Sequence, residues 1–85
     1  PEIRLECPEE IKFEVSARAA REFATRYPVN TIDGARISFP KGWGLLRPSN
    51  TQPVLVLRFE ATDQAALQAY QSEVMSWLAA QGVRV

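Results

Sequence analysis

Arg47, Ser49, Asn50 and Thr51 fall within seven residues, RPSNTQP (47–53), set between two apolar runs, WGLL (43–46) and VLVLRF (54–59). All four side chains can donate hydrogen bonds. Arg47 can present a planar fork to two oxygens at once, Ser49 and Thr51 can each give a hydroxyl proton, and Asn50 an amide hydrogen. Such a set suits an oxyanion with several acceptor atoms, for example a phosphate ester carrying about −1.5 to −2 charges at neutral pH. The backbone N–H groups of residues 49–52 would add an anion nest if the turn curls inward. Pro48 and Pro53 have no N–H to give; their fixed φ lowers the entropy lost when the segment closes on a ligand. The same residue types also make an ordinary strand-to-strand turn in which Ser and Asn bond their own backbone. An arginine at a strand end is also commonly a solvated rim charge. On the residues alone, both readings stand.

Composition narrows the rest. Eighty-five residues make one domain with room for one site, and 46% hydrophobic residues suffice for a small core. Ten basic and ten acidic residues cancel, so no global field draws nucleic acid or an anionic membrane. No apolar run approaches the roughly 20 residues of a membrane span. Histidine is absent and Cys7 is the single cysteine. The nitrogen and sulfur ligands of a zinc site are therefore missing, as is the side chain most used for proton transfer near neutral pH. The two aspartates, Asp33 and Asp63, are far apart and each has a structural role open to it. A complete active site is not expected. The lone cysteine cannot form an internal disulfide, which fits a reducing cytoplasm.

Several elements must position the 47–53 segment. PEIRLE (1–6) alternates Ile3 and Leu5 against charged residues, as an extended edge segment or a link to something longer. Pro8, with Glu9 and Glu10 behind it, starts a helix read over 8–26. Ile11, Val15, Ala19 or Ala20, and Phe23 recur at helical spacing until Pro28 ends it. Asp33-Gly34 suits a two-residue hairpin with positive φ at both positions, followed by the alternating strand ARISF. Pro40–Gly42 turns the chain into WGLLR, and VLVLRFE is the most apolar strand, expected at the centre. Thr62 or Asp63 caps a second helix with the stripe Leu67, Tyr70, Val74, Trp77 and Leu78, closed by Gly82. The order predicts an α+β fold: an antiparallel sheet of about four strands with two helices on one face.

Other residues have plain readings beside functional ones. Trp43 either borders a sugar face or packs on the sheet. Arg58 either adds positive potential to a cleft or sits in a salt bridge or in solvent. Lys41, on a turn, is solvated or makes a distant ligand contact. Tyr70 and Trp77 belong to the core stripe. Cys7 is a small packing residue near a helix start, where a lowered pKa is conceivable.

Residues 33–61, DGARISFPKGWGLLRPSNTQPVLVLRFEA, closely resemble the C-terminal domain of the α-D-phosphohexomutases, above all the bacterial phosphomannomutase/phosphoglucomutase branch. The motif is an Arg, a Ser, a Thr and a Pro at alternate positions, met by Arg47, Ser49, Thr51 and Pro53. The resemblance implies a TATA-box-binding-protein-like α+β layer and a loop in which Arg47, Ser49, Asn50 and Thr51 hold the non-reacting phosphate of a glucose or mannose 1- or 6-phosphate. It further implies a full-length enzyme with a phosphoserine and Mg2+ on other domains, passing through a bisphosphorylated sugar, while this domain alone is inactive. Gln52 stands where phosphoglucosamine mutases typically carry Glu, which favours the mannose/glucose branch. Pro48 takes a position often filled by Ala or Thr, so one backbone donor is lost. Nothing in the chain resembles the phosphoserine loop, the aspartate-rich magnesium loop or the sugar-recognition loop.

These expectations divide the chain into a linker or edge segment, 1–7, and a phosphohexomutase C-terminal domain, 8–85. The partners expected are a phosphosugar and the other domains of the same enzyme, with no nucleic acid and no membrane. The competing reading is a stand-alone small α+β module that binds a protein or a ligand.

Overall fold

The computed structural model describes residues 2–85. Five strands and two helices follow one another as β1 (Glu2–Glu6), α1 (Lys12–Phe23), β2 (Val29–Asn30), β3 (Ala35–Phe39), β4 (Gly42–Pro48), β5 (Val54–Ala61) and α2 (Gln64–Ala80). The strands form one antiparallel sheet in the order β1-β5-β4-β3-β2. The α+β class and its two helices agree with the sequence reading, and the count rises to five because β1 and the two-residue β2 both join the sheet. β4, not β5, lies in the middle, since the hairpin to β3 and β2 extends the sheet two strands beyond β4 while only β1 lies beyond β5.

Period-two alternation decides which face is covered. Leu55, Leu57 and Phe59 of β5, Leu46 of β4, Ala35, Ile37 and Phe39 of β3 and Leu5 of β1 are buried, and both helices pack on that side, α1 over β2, β3 and β4 and α2 over β4 and β5. Val15, Ala19 and Phe23 of α1 and Val74 and Leu78 of α2 fill the space between. Tyr70 and Trp77 are partly buried against this core. Tyr70 stacks on Phe39 with ring centroids 4.2 Å apart, and Trp77 meets the Phe23 ring edge-on at 5.9 Å. The opposite face carries Arg4, Arg36, Trp43, Leu45, Arg47, Arg58 and Glu60 by register.

α1 is shorter than its periodicity predicts. The N–H groups of Ile11 and Lys12 both reach the Pro8 carbonyl, at 3.1 Å each, so residues 8–11 form a separate turn, and Ile11 sits at φ −120°, ψ −5° outside helical space. Ile11 is consequently exposed and does not join the core stripe. At the other end the Tyr27 N–H bonds the Phe23 carbonyl at 2.9 Å and the Arg26 N–H does so at 3.0 Å, a tightening turn ahead of Pro28.

α2 is capped at both ends. Asp63 Oδ1 accepts the Ala66 N–H at 2.7 Å, which settles the cap on Asp63. Gly82, at φ 91°, donates to Ala79, and the Val83 N–H reaches the Leu78 carbonyl at 3.1 Å. That pairing is a Schellman motif, with Val83 and Leu78 both buried. No helix among the described residues is long and apolar enough to cross a membrane.

Candidate functional site

The β4–β5 connection and the β2–β3 connection emerge at the same end of the sheet, because Ala35 pairs with Leu46 and the residues just before and after them are brought side by side. Gly34 makes this possible. Its φ is 73°, and a Cβ there would lie 2.6 Å from Arg47 Cβ and 2.9 Å from Arg47 Cα. Only a residue without a side chain combines that backbone conformation with that approach.

The connection itself differs from the expected two-residue hairpin. β2 stops at Asn30 and β3 starts at Ala35, so four residues make the turn, and Gly34 alone has positive φ. Asn30 Oδ1 accepts the Ile32 N–H at 2.9 Å, an Asx turn that bends the chain early. Asp33 is thereby free to reach across to Arg47, whose Nη1 donates to its Oδ2 at 3.1 Å.

Arg47, Ser49, Asn50 and Thr51 line one open cavity of about 850 Å3, together with Asp33 and Arg4 among others. Arg47 and Arg4 flank Val56 across three adjacent strands. Val56 is 5% exposed although it lies opposite the helices, as expected if the aliphatic stems of the two arginines cover it and leave their charged heads at the rim.

Within the loop, Ser49 Oγ accepts the N–H groups of Thr51 and Gln52, at 3.2 Å each, and the Ser49 N–H is taken by the Val54 carbonyl at 3.0 Å. The backbone nest is therefore narrower than the sequence suggested, since of the four N–H groups only that of Asn50 lacks a protein acceptor among the described residues. The Ser49 oxygen acts as acceptor for its own turn, which leaves its proton to be donated outward and polarised by the two incoming N–H groups. The Asn50 and Thr51 side chains are exposed, and Arg47 keeps Nη2 without an ion pair among the described residues. A guanidinium edge, two hydroxyls and an amide thus line the same cavity.

Three residues at this site escaped the sequence reading. Asp33 reads only as turn chemistry and Arg4 as one charge in an alternating edge, and nothing in the local spacing singles out Lys12. Arg4 donates through Nη2 to Gln52 Oε1. Lys12 is fully buried, with Nζ 2.9 Å from the Gln52 carbonyl. In each case the signal was a long-range pairing that no local spacing reports.

The other candidates fall outside the cavity. Trp43 is half-buried on the uncovered sheet face, where its Nε1 donates to Glu60 at 3.0 Å and the Arg36 guanidinium lies 4.3 Å over its ring. Arg58 is exposed on that same face. Lys41 Nζ lies 3.7 Å from Asp63 Oδ2 in solvent. Cys7 is buried, and burial pushes its thiol pKa up, with the nearby Lys12 ammonium opposing; the lowered value conceivable at a helix start is not found. Among the described residues no group of three or more His, Cys, Asp or Glu side chains could hold a metal ion.

Relatives give the arrangement a context. Residues 2–76 match the family described as Phosphoglucomutase/phosphomannomutase, C-terminal domain. The chain is 46% identical over 78 residues to a phosphoglucomutase of Neisseria meningitidis serogroup A, covering 86% of this chain and 16% of that protein. It is 45% identical over 69 residues to a phosphomannomutase/phosphoglucomutase of Pseudomonas aeruginosa, covering 80% of this chain and 15% of that one. A crystal structure of a phosphoglucomutase/phosphomannomutase family protein from Burkholderia thailandensis superposes with a TM-score of 0.72 at 45% identity, over 94% of this chain and 17% of the other. The chain thus spans about one sixth of the length of these relatives. With the match running from β1 into α2 and across the whole 47–53 loop, this chain belongs to the phosphoglucomutase/phosphomannomutase C-terminal domain family.

Proposed function

We propose that this chain is the substrate-phosphate-binding domain of a phosphomannomutase/phosphoglucomutase, with Arg47, Ser49, Asn50 and Thr51 holding the phosphate that is not reacting. The observation that carries this reading is the gathering of those four donors on one cavity in a chain of this family. Arg47 supplies the charge and a planar pair of donors, Ser49 and Thr51 give hydroxyl protons, and Asn50 gives an amide hydrogen and its free N–H. The phosphoserine and the Mg2+ would lie on domains outside this chain, the metal supplying charge neutralisation at the phosphoryl group in transfer. The domain's own part is to grip the remote end of a hexose phosphate, so that binding there positions the sugar for chemistry elsewhere.

Residues 1–7 would connect this domain to the rest of the enzyme, with β1 holding that entry against β5. Each orientation of a bisphosphorylated sugar presents a non-reacting phosphate, the 1-phosphate in one and the 6-phosphate in the other, so the loop would hold one, release it and then hold the other as the domain opens and closes. By itself the domain would be catalytically inactive. The working location we infer is the cytoplasm.

The test uses the full-length enzyme carrying this domain. Arg47→Ala should raise KM for glucose 1-phosphate by about tenfold or more, as loss of a charge-assisted hydrogen bond of about 1.5–3 kcal/mol requires, with a smaller loss in kcat. Unchanged kinetics would reject the assignment.

A further inference from the structure

Lys12 is the one charged side chain among the described residues that is fully buried. Its ammonium has three partners: the Gln52 carbonyl at 2.9 Å, Glu9 Oε1 at 3.0 Å and the Phe13 ring, whose centroid lies 5.2 Å away. An ammonium withdrawn from water costs several kcal/mol unless it is paired. A methionine of similar length would fill the same space without that cost, so packing alone does not account for a lysine here.

What the lysine reaches does account for it. Gln52 ends the loop that carries Ser49, Asn50 and Thr51, and its carbonyl also accepts the Val54 N–H at 2.8 Å. The Cys7 N–H holds the adjoining Pro53 carbonyl at 2.8 Å, while the Ser49–Val54 bond closes the opposite limb. With both limbs held, little freedom remains for residues 50 and 51, and the Thr51 and Gln52 N–H groups stay aimed at Ser49 Oγ. A loop already ordered before its ligand arrives loses less entropy on binding.

We propose that Lys12 is a positioning residue: from within the core it tethers the Gln52 carbonyl and keeps the anion-gripping loop in its binding shape. This rests on the phosphate reading of that loop.

The test is made on the 85-residue chain by backbone 15N relaxation and phosphosugar titration, in wild type, Lys12→Met and Glu9→Gln. Gln52 and Glu9 are both exposed, so water can replace the lost partner in Lys12→Met and the fold should survive. The order parameters of residues 50–52 should then fall from about 0.85 to below about 0.6, with the rest of the chain unchanged, and Kd for glucose 1-phosphate should rise about fivefold. Glu9→Gln keeps the Lys12–Gln52 bond and should keep the loop ordered. Unchanged loop order in Lys12→Met, or lost order with unchanged affinity, overturns the proposal. Should Lys12→Met fail to fold, the wild-type ammonium protons decide: a resolved, slowly exchanging Lys12 signal supports the tether, and free exchange with water overturns it. A wild-type chain that binds no phosphosugar would overturn the phosphate reading, while the order parameters would still decide the tether.

Discussion

Arg47 Nη1 donates to Asp33 Oδ2 at 3.1 Å, across two connections that are 14 residues apart in sequence and adjacent at one end of the sheet. The pair is solvent-exposed on both sides, at 47% and 66% of the side chains, and so contributes little to stability. Its consequence is for binding. A carboxylate already occupies one edge of the guanidinium to which the proposed function assigns the phosphate.

Asp33→Asn should accordingly tighten phosphate binding. With an exposed pair of this kind worth about 0.2–1 kcal/mol, the gain is about 1.4- to fivefold in Kd for glucose 1-phosphate, largest at low salt. Titration of the variant beside wild type checks it, and weaker binding would mean that Asp33 orients Arg47 rather than competing for it.

Gly34→Ala should damage both the fold and the site. A Cβ at that position meets Arg47 Cα at 2.9 Å from a backbone with φ of 73°, which combines backbone strain with a clash against the strand that carries the guanidinium. A loss of about 2–4 kcal/mol in denaturant unfolding is expected, accompanied by amide shifts on β3 and β4. A substitution without effect on stability would show that this approach is looser than the geometry states.

Alkaline pH should weaken the fold before ordinary surface titration does. Burial raises the Tyr27 pKa, helped by the hydrogen bond its hydroxyl donates to Glu73 at 2.9 Å, and burial likewise raises Cys7. Both groups hold their protons more tightly folded than unfolded. Their contributions are therefore complete below the unfolded values, about 8.5 for the thiol and about 10 for the phenol, and are lost as pH rises through the folded ones. Melting temperature should be flat near neutrality and decline above about pH 9. The decline should be shallower in Tyr27→Phe, and equal slopes in the two proteins would contradict the assignment.

How far the sequence carried the account depends on whether local spacing or distant pairing set each feature. Period-two alternation in ARISF placed Ala35, Ile37 and Phe39 on one face, since a strand's inward side follows from its pleat, whereas the continuous apolar run VLVL did not tell which of its residues, Leu55 and Leu57, turn to the helices. The stripe Leu67–Leu78 and a cap at Thr62 or Asp63 were readable for the same local reason, and the Ala66 N–H bond chooses Asp63. The start of α1 was not, because the Pro8 carbonyl collects two N–H groups in a turn that periodicity cannot distinguish from a first helical turn. Asp33-Gly34 announced a turn and not its length, since the Asx bond from Asn30 lies upstream of the dipeptide. The four donors of 47–51 were visible as chemistry. The Arg47–Asp33 and Lys12–Gln52 contacts span 14 and 40 residues of chain and emerge only when the strands are paired.

The central claim is that the 47–52 loop grips a phosphate. The most direct measurement is a titration of the 15N-labelled chain with glucose 1-phosphate, mannose 1-phosphate and inorganic phosphate, following backbone amides and the Arg47 guanidinium. Saturable shifts confined to residues 47–52 and their neighbours at 33 and 34 are expected, with Kd of about 1 mM or weaker, corresponding to about 4 kcal/mol or less, and similar for the two sugars. No shift at those residues at about 50 mM ligand, well above that Kd, would contradict it.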